Sequence, residues 1–253
     1  MKDRSPRLIR AIAERKHKHL LPLSDVHIGA PTCDYAKAKR TVQWALDNDA
    51  WVMLLGDIVE NATRNSVGSG NYEQIMSPQE QQDKAVELLR PLADRGLILG
   101  AVIGNHEWRT ANESGINITK NICDILGIRY LGFSIFAYLT VGKINYKIFA
   151  MHGASGGTTL TGKINAVQRL AHHRDADIFL MAHVHDLWVG SDRVLKIDSR
   201  NKTVKEHKRY YVLTGAYLNY QGSYGEMKGF APAKTGTPKI RLDGTRFDPI
   251  ISI

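Results

Sequence analysis

The stretch Trp51–Glu60, WVMLLGDIVE, carries five apolar residues straight into Gly56 and then into a carboxylate, Asp57. A short continuous apolar run that breaks in this way predicts a strand buried on both faces, the habit of strands in α/β sheets. Asp57 then stands at its carboxyl end, the edge where open α/β sheets keep their ligands. Four further runs repeat the pattern. LLPLSDVH ends on Asp25 and His27, LILGAVIGNH on Asn105 and His106, KIFAMHG on His152, and DIFLMAHVH on His183 and His185. One such ending is ordinarily a satisfied polar group at a sheet edge. Five in one chain, all with nitrogen or oxygen donors and all at the same predicted edge, point to a metal site.

Around these runs the elements fall into order. Ser5 and Pro6 open a predicted basic helix within residues 1–19, with Leu8, Ile9 and Ile12 as its apolar face and several Arg and Lys elsewhere. The first strand follows, through Leu23. Asp34 caps a helix through about Asn48, which makes a right-handed βαβ unit with the strand ending at Asp57. Residues 61–76 read as a loop over the carboxyl edge, with Arg64 and Asn65 as its candidate substrate contacts. Ser77, Pro78 and Glu80 start a helix that Gly96 ends, and another runs from about Ile116 to Leu126. Phe133–Val141 and Asn145–Met151 predict a hairpin around Gly142 and Lys143, a break from βαβ alternation that brings in a second sheet. A helix from about Lys163 to His173, strands at Val194–Asp198 and Lys205–Leu213, and a strand starting at Lys239 complete the pattern. Residues 221–238, rich in Gly and Lys, read as an irregular loop and a candidate lid. No repeat or linker splits the chain, so one domain over residues 1–253 is expected.

Composition bounds the function. With 43% hydrophobic residues in 253, the chain can fill one large core. Lys and Arg number 34 against 25 Asp and Glu, a formal charge of +9 that favours anionic partners such as DNA, RNA or phosphorylated small molecules. The two cysteines, Cys33 and Cys123, have neither disulfide nor thiolate-site spacing. No apolar stretch reaches membrane-span length and no signal core follows the basic N-terminus, so a cytoplasmic protein without membrane contact is expected.

Asp, His and Asn donors without thiolate suit divalent ions of intermediate hardness: manganese first, with iron, zinc, cobalt or nickel as alternatives. Seven such groups exceed the needs of one ion. With one carboxylate shared they suit a pair roughly 3.5–4 Å apart, the arrangement that clamps the attacking and leaving oxygens of a phosphoryl group and turns a bridging water into hydroxide.

SDVH, LLGDIVE, VIGNHE, AMHG and MAHVH stand in the order of the five motifs of the calcineurin-like metallophosphoesterases, and over about two thirds of its length the chain resembles the small stand-alone members of that superfamily from prokaryotes and bacteriophages. The resemblance implies an α/β four-layer sandwich of two mixed β-sheets flanked by helices. It also implies one metal ion held by Asp25, His27, Asp57 and His185, and a second held by Asp57, Asn105, His152 and His183. Asp57 is then the bridge, Asn105 and His106 face the substrate phosphate, and His106 can protonate the leaving group.

Departures narrow the activity. The serine/threonine protein phosphatases of this group carry Asp and Arg where this chain has Glu60 and Asn61, and Arg where it has Ile103. The favoured expectation is a dinuclear-metal-dependent phosphodiesterase acting on nucleic acid. A phosphomonoesterase or cyclic-nucleotide phosphodiesterase, with Trp108, Tyr217, Tyr220 and Tyr224 as candidate stacking groups, is the alternative. A non-catalytic binding protein on the same fold ranks last, because no donor is missing.

Overall fold

The structure, a computed structural model, describes residues 8–64, 66, 73–154 and 157–253. Eleven strands and six α-helices follow in order: β1 (Leu8–Ala13), β2 (His17–Leu23), α1 (Tyr35–Asp47), β3 (Trp51–Leu54), α2 (Pro78–Asp94), β4 (Ile98–Ala101), α3 (Asn105–Ser114), α4 (Ile118–Leu126), β5 (Ser134–Val141), β6 (Ile144–Met151), α5 (Leu160–Arg169), β7 (Ile178–Met181), β8 (Leu187–Asp198), β9 (Thr203–Thr214), α6 (Tyr224–Met227), β10 (Lys239–Asp243) and β11 (Ile250–Ser252). One sheet runs β1-β5-β6-β7-β9-β8 and the other β11-β10-β2-β3-β4. Both are mixed. In the five-stranded sheet β2, β3 and β4 are parallel while β10 and β11 are antiparallel. In the six-stranded sheet β6, β7 and β9 are parallel, flanked by the antiparallel pairs β5–β6 and β8–β9.

Side-chain alternation builds the layers, because successive residues of a strand point to opposite faces. Leu20, Trp51, Met53, Ile178 and Leu180 enter the core between the sheets. Leu21, Leu23, Val52 and Leu54 pack outward against Ala38, Val42, Leu88, Leu89 and Ile122 of α1, α2 and α4. Phe179, Met181 and Tyr211 pack outward against Ala166 and Val167 of α5. The result is the four-layer sandwich of two mixed sheets between helices. The apolar runs of the sequence are continuous because their strands are covered on both sides.

The caps follow the sequence closely. Asp34 accepts from Lys37 N at 2.9 Å, and Ser77 with Glu80 forms a capping box. The hairpin β5–β6 turns at Gly142, whose φ of +52° places it in the left-handed region. Strands β8 and β9 are longer than their apolar content alone suggests, since each offers the other a complete antiparallel ladder from Leu187↔Thr214 to Asp198↔Thr203.

Over the described residues the N-terminal helix is overturned; its expected start at Ser5 and Pro6 lies outside them. Residues 8–13 form strand β1, paired in parallel with β5, and 17–23 form β2. The spacing of Leu8, Ile9 and Ile12 satisfied a helix, but Ile9, Ala11 and Ala13 satisfy a period of two, and that period wins because β5 offers an unpaired edge. Ile9 is 2% exposed while Ile12, on the opposite face, is 72% exposed. A helix would bury the two together. Ile9→Ala should therefore cost about 2–5 kcal/mol and Ile12→Ala within about 0.5 kcal/mol, measured from urea midpoints; equal losses at both positions would contradict the strand.

Candidate metal centre

All five predicted endings meet at one edge. Parallel strands β2, β3 and β4 of one sheet and β6 and β7 of the other point their carboxyl ends the same way, and the loops beyond them are stitched by backbone bonds. Asp25 N donates to Gly56 O at 3.0 Å, His27 N to Asp57 O at 3.0 Å, and Tyr217 N to Asp25 O at 2.9 Å. Ser24 and Thr214 join the two sheets through their hydroxyls at 2.8 Å.

Among the described residues three overlapping donor clusters form there, two outer ones joined by a middle one of His27, Asp57 and His106. Asp25, His27 and His185 make the first: His185 Nε2 lies 3.2 Å from Asp25 Oδ1 and 3.3 Å from His27 Nε2. Asp57, His152 and His183 make the second, with His152 Nε2 at 3.1 Å from Asp57 Oδ2. Asn105 Oδ1 lies 2.8 Å from His152 Nε2 and 2.7 Å from His183 Nδ1. Asp57 Oδ2 also faces His27 Nε2 at 3.9 Å, so it stands between the clusters.

Three observations fit divalent cations in this space. Asp25 Oδ1 and Asp57 Oδ2 are buried with no hydrogen-bond partner among the described residues, although a buried carboxylate oxygen is costly to leave unmatched. The donor set is nitrogen and oxygen only, suited to first-row divalent ions. His152 Nδ1 donates to Leu55 O at 2.7 Å, which fixes its tautomer and aims Nε2 at the cluster, as carbonyl partners of metal-binding histidines do.

Backbone conformation is spent on the same geometry. Asp25, His27, Asp57, His183 and His185 all have φ between +50° and +73°. Left-handed backbone at non-glycine residues is uncommon and concentrates at functional sites, at roughly 1–3 kcal/mol each. Gly104 admits the close approach of two loops: a Cβ there would fall 2.1 Å from Asp57 Oδ1 and 2.2 Å from Asp57 N.

Charge is unevenly balanced. Burial disfavours the imidazolium of His152, yet the Asp57 and Asp25 carboxylates outweigh it and raise the pKa to about 10. For His106 burial is likewise outweighed by Asp57 and Glu60, giving about 9. Burial together with the charge on His152 pushes His183 down to about 4. Asp57 is held well below the carboxylate range because the surrounding histidines overcome its desolvation.

His106 starts α3. Its backbone N donates to Asp57 Oδ1 at 2.9 Å, and its Nε2 is 3.8 Å from Asp57 Oδ2. On its other side Nδ1 lies 2.8 Å from Glu60 O and 3.3 Å from Glu60 Oε1. Glu60 Oε2 also meets His27 Nδ1 at 2.8 Å, so one side chain orients both rings.

The structure thus assembles Asp25, His27, Asp57, Asn105, His106, His152, His183 and His185. Arg64 is exposed in the turn after Thr63, and Asn65 lies outside the described residues. Tyr217 is fully buried in the helix-side core and has no face for stacking. Two residues were missed. Glu107, fully buried, accepts from the backbone N–H groups of Asp57, Ile58, Val59 and Gly104 at 2.8–3.3 Å. Burial and the Asp57 charge push its carboxyl up to about 7. Its place three residues after Gly104 is capping-box spacing and was the available clue. Arg109, one turn into α3, brings Nη2 to 2.8 Å from His106 Nδ1; nothing in the sequence near it marks that role.

A family model, calcineurin-like phosphoesterase, matches residues 19–218, and the chain belongs to that family. It is a metallophosphoesterase, and its His and Asp clusters fit divalent metal ions. No curated protein matches the chain. Among the described residues no helix is long and apolar enough to cross a membrane.

The raised pKa of His152 has a definite sign. Its folded value of about 10 lies above the ordinary 6.5, so the stabilisation it gives the metal-free protein is complete below pH 6.5 and lost as pH rises through 10. A metal ion must displace that proton. Titration of manganese at pH 7 in two buffers of different ionisation heat should register net proton release; none would mean that His152 is already neutral without metal.

Proposed function

We propose that the chain is a dinuclear metal-dependent phosphodiesterase acting on DNA or RNA, working as one domain in the cytoplasm. The observation that carries the reading is the shared carboxylate: Asp57, with an unmatched buried oxygen, stands between two donor clusters and beside a protonated His106. Asp25, His27, Asp57 and His185 would hold one ion, and Asp57, Asn105, His152 and His183 the other, with manganese the preferred metal. Two ions in these places supply Lewis acidity to the phosphoryl oxygens and lower the pKa of water.

The remaining steps belong to the chain's own groups. Asn105 and His106 face the substrate phosphate. In the metal-free protein the Asp57 and Glu60 carboxylates favour the charged form of His106, and with Nδ1 set against Glu60 the ring presents Nε2 as the donor that a departing alkoxide needs. An alkoxide leaving group depends on such a donor far more than a nitrophenolate does. The surroundings argue against protein-phosphatase chemistry. Asn61 is buried and its Nδ2 donates to the Thr110 hydroxyl, and Ile103 is core, so no arginine grips a phosphoryl group from either position. The charge of +9 supports an anionic polymer as substrate.

A time course with an oligonucleotide bearing a labelled 5′ phosphate, manganese-loaded protein and a His183→Ala control tests this. Shortened strands, absent in the control, are expected. Free phosphate with an intact strand would instead establish a phosphomonoesterase. An untouched strand, with turnover of small diesters, would remove nucleic acid as the substrate. His106→Gln should lower kcat roughly 10²–10⁴-fold on the oligonucleotide, with a much smaller loss on a nitrophenyl diester.

A further inference from the structure

The basic residues near the N-terminus lie at the amino end of β2, while the donor clusters lie beyond its carboxyl end. They are joined along the helix-facing side of the five-stranded sheet. On α1, Lys37, Arg40 and Trp44 recur at helical spacing on the side turned toward β10, and Lys37 Nζ donates to Thr235 Oγ1 at 2.6 Å beside that strand. Lys239 Nζ sits over the Trp44 ring at 4.3 Å. On β10, Lys239 and Arg241 share the outward face with His19 and His17 of β2, through the register Arg241↔His19 and Asp243↔His17. His19 packs edge-on against Trp44. A cleft of about 200 Å³ lined by Arg15, Lys16, His17, Lys18, His19 and Asn48 ends the line. Burial, with the charges of His17, Arg241, Lys18 and Lys239, pushes the His19 pKa down. The acids along the way are Asp34 at the cap of α1, Asp47 at its end, Asp49 and Asp243. Asp49 takes Arg15, Lys18 and Arg95, and Asp243 reaches Arg241 only at 3.9 Å. Lys16 and Arg40 are exposed.

We propose that the groove between α1 and β10 is a second binding surface, which holds the phosphodiester backbone of a nucleic-acid strand while the metal edge holds the bond to be cut. This rests on the nucleic-acid reading above. The groove starts at the metal edge, where Asp34 N, at the cap of α1, donates to Tyr217 O and Tyr217 N donates to Asp25 O. It follows α1 for about 20 Å, long enough to meet several phosphates of one strand. Cations along it match the repeating anion of a nucleic-acid backbone, the electrostatic part of the way such strands are held.

The test is binding of a fluorescent single-stranded 20-mer in EDTA, where no turnover occurs, followed across salt concentrations. Each phosphate contact contributes about −0.7 to the slope of log K against log salt. Lys239→Gln with Arg241→Gln should flatten the slope by about 1.4 and weaken binding about 25-fold at 0.1 M salt. Lys16→Gln with Arg40→Gln, both exposed, should flatten it equally and covers the case in which Arg241 is needed for folding. Lys120→Gln with Arg129→Gln removes the same charge at the opposite, β4 edge of the sheet and should leave the slope unchanged. An unchanged slope in both groove variants, or equal flattening in the control, overturns the proposal. If the slopes behave as expected but the wild-type protein leaves oligonucleotides uncut, the groove stands and the substrate reading falls; cutting with unaltered slopes removes the groove alone.

Discussion

Two carboxylates, Asp25 and Asp57, are wholly buried where the two sheets meet, and each keeps an oxygen that accepts no well-formed hydrogen bond, its neighbour a histidine nitrogen at 3.1–3.2 Å. Like charges buried together are tolerated only when something positive is fixed beside them. Histidines supply part of it, since His152 and His106 are driven toward their charged forms by the same carboxylates. The rest of the site follows from this constraint. Rings are oriented by Leu55 O and by Glu60, so that nitrogens, not carbon edges, face the carboxylates. Loops are bent into left-handed backbone at five of the seven proposed ligands, so that short side chains reach one volume from five strand ends.

Such strain persists only if the surroundings over-determine it. Glu107 is the main device on the side of β3. Its carboxylate gathers three consecutive N–H groups after Gly56 and that of Gly104, locking the Asp57 turn to the start of α3. Gly56 and Gly104 make the contact possible by lacking side chains, for a Cβ on Gly56 would meet Gly104 N at 2.4 Å. Asp57 and His106 are thereby positioned by one buried side chain that touches neither cluster as a donor.

Much of the sandwich was legible because doubly covered strands are written as unbroken apolar runs, and each run stops on a donor. The eight residues assembled at the edge were found that way, with the resemblance assigning their roles. What was not legible depended on partners remote in sequence. Leu8–Ala13 carries both a helical and an alternating pattern, and only the edge of β5, more than a hundred residues away, decides between them. Glu107 and Arg109 look like ordinary first-turn helix residues until the turn after Asp57 is folded against them. Tyr217 is a candidate stacking group by sequence, yet its backbone bonds to Asp25 and Asp34 and its ring lies in the core.

The distribution of charge matters more than its sum. Strand β2 carries cations at its beginning and ends on Asp25 and His27, so one element separates basic from acidic ends by roughly 20 Å at 3.3 Å per residue. That exceeds the Debye length of about 8 Å at physiological salt. The basic end therefore neither shifts the protonation of the donor clusters nor repels cations from them. Had the same charges surrounded the metal edge, they would have opposed the ions that the buried carboxylates require. Placed along α1 and β10 they leave the metal edge acidic, and in the proposed groove they would attract an anionic chain over its length.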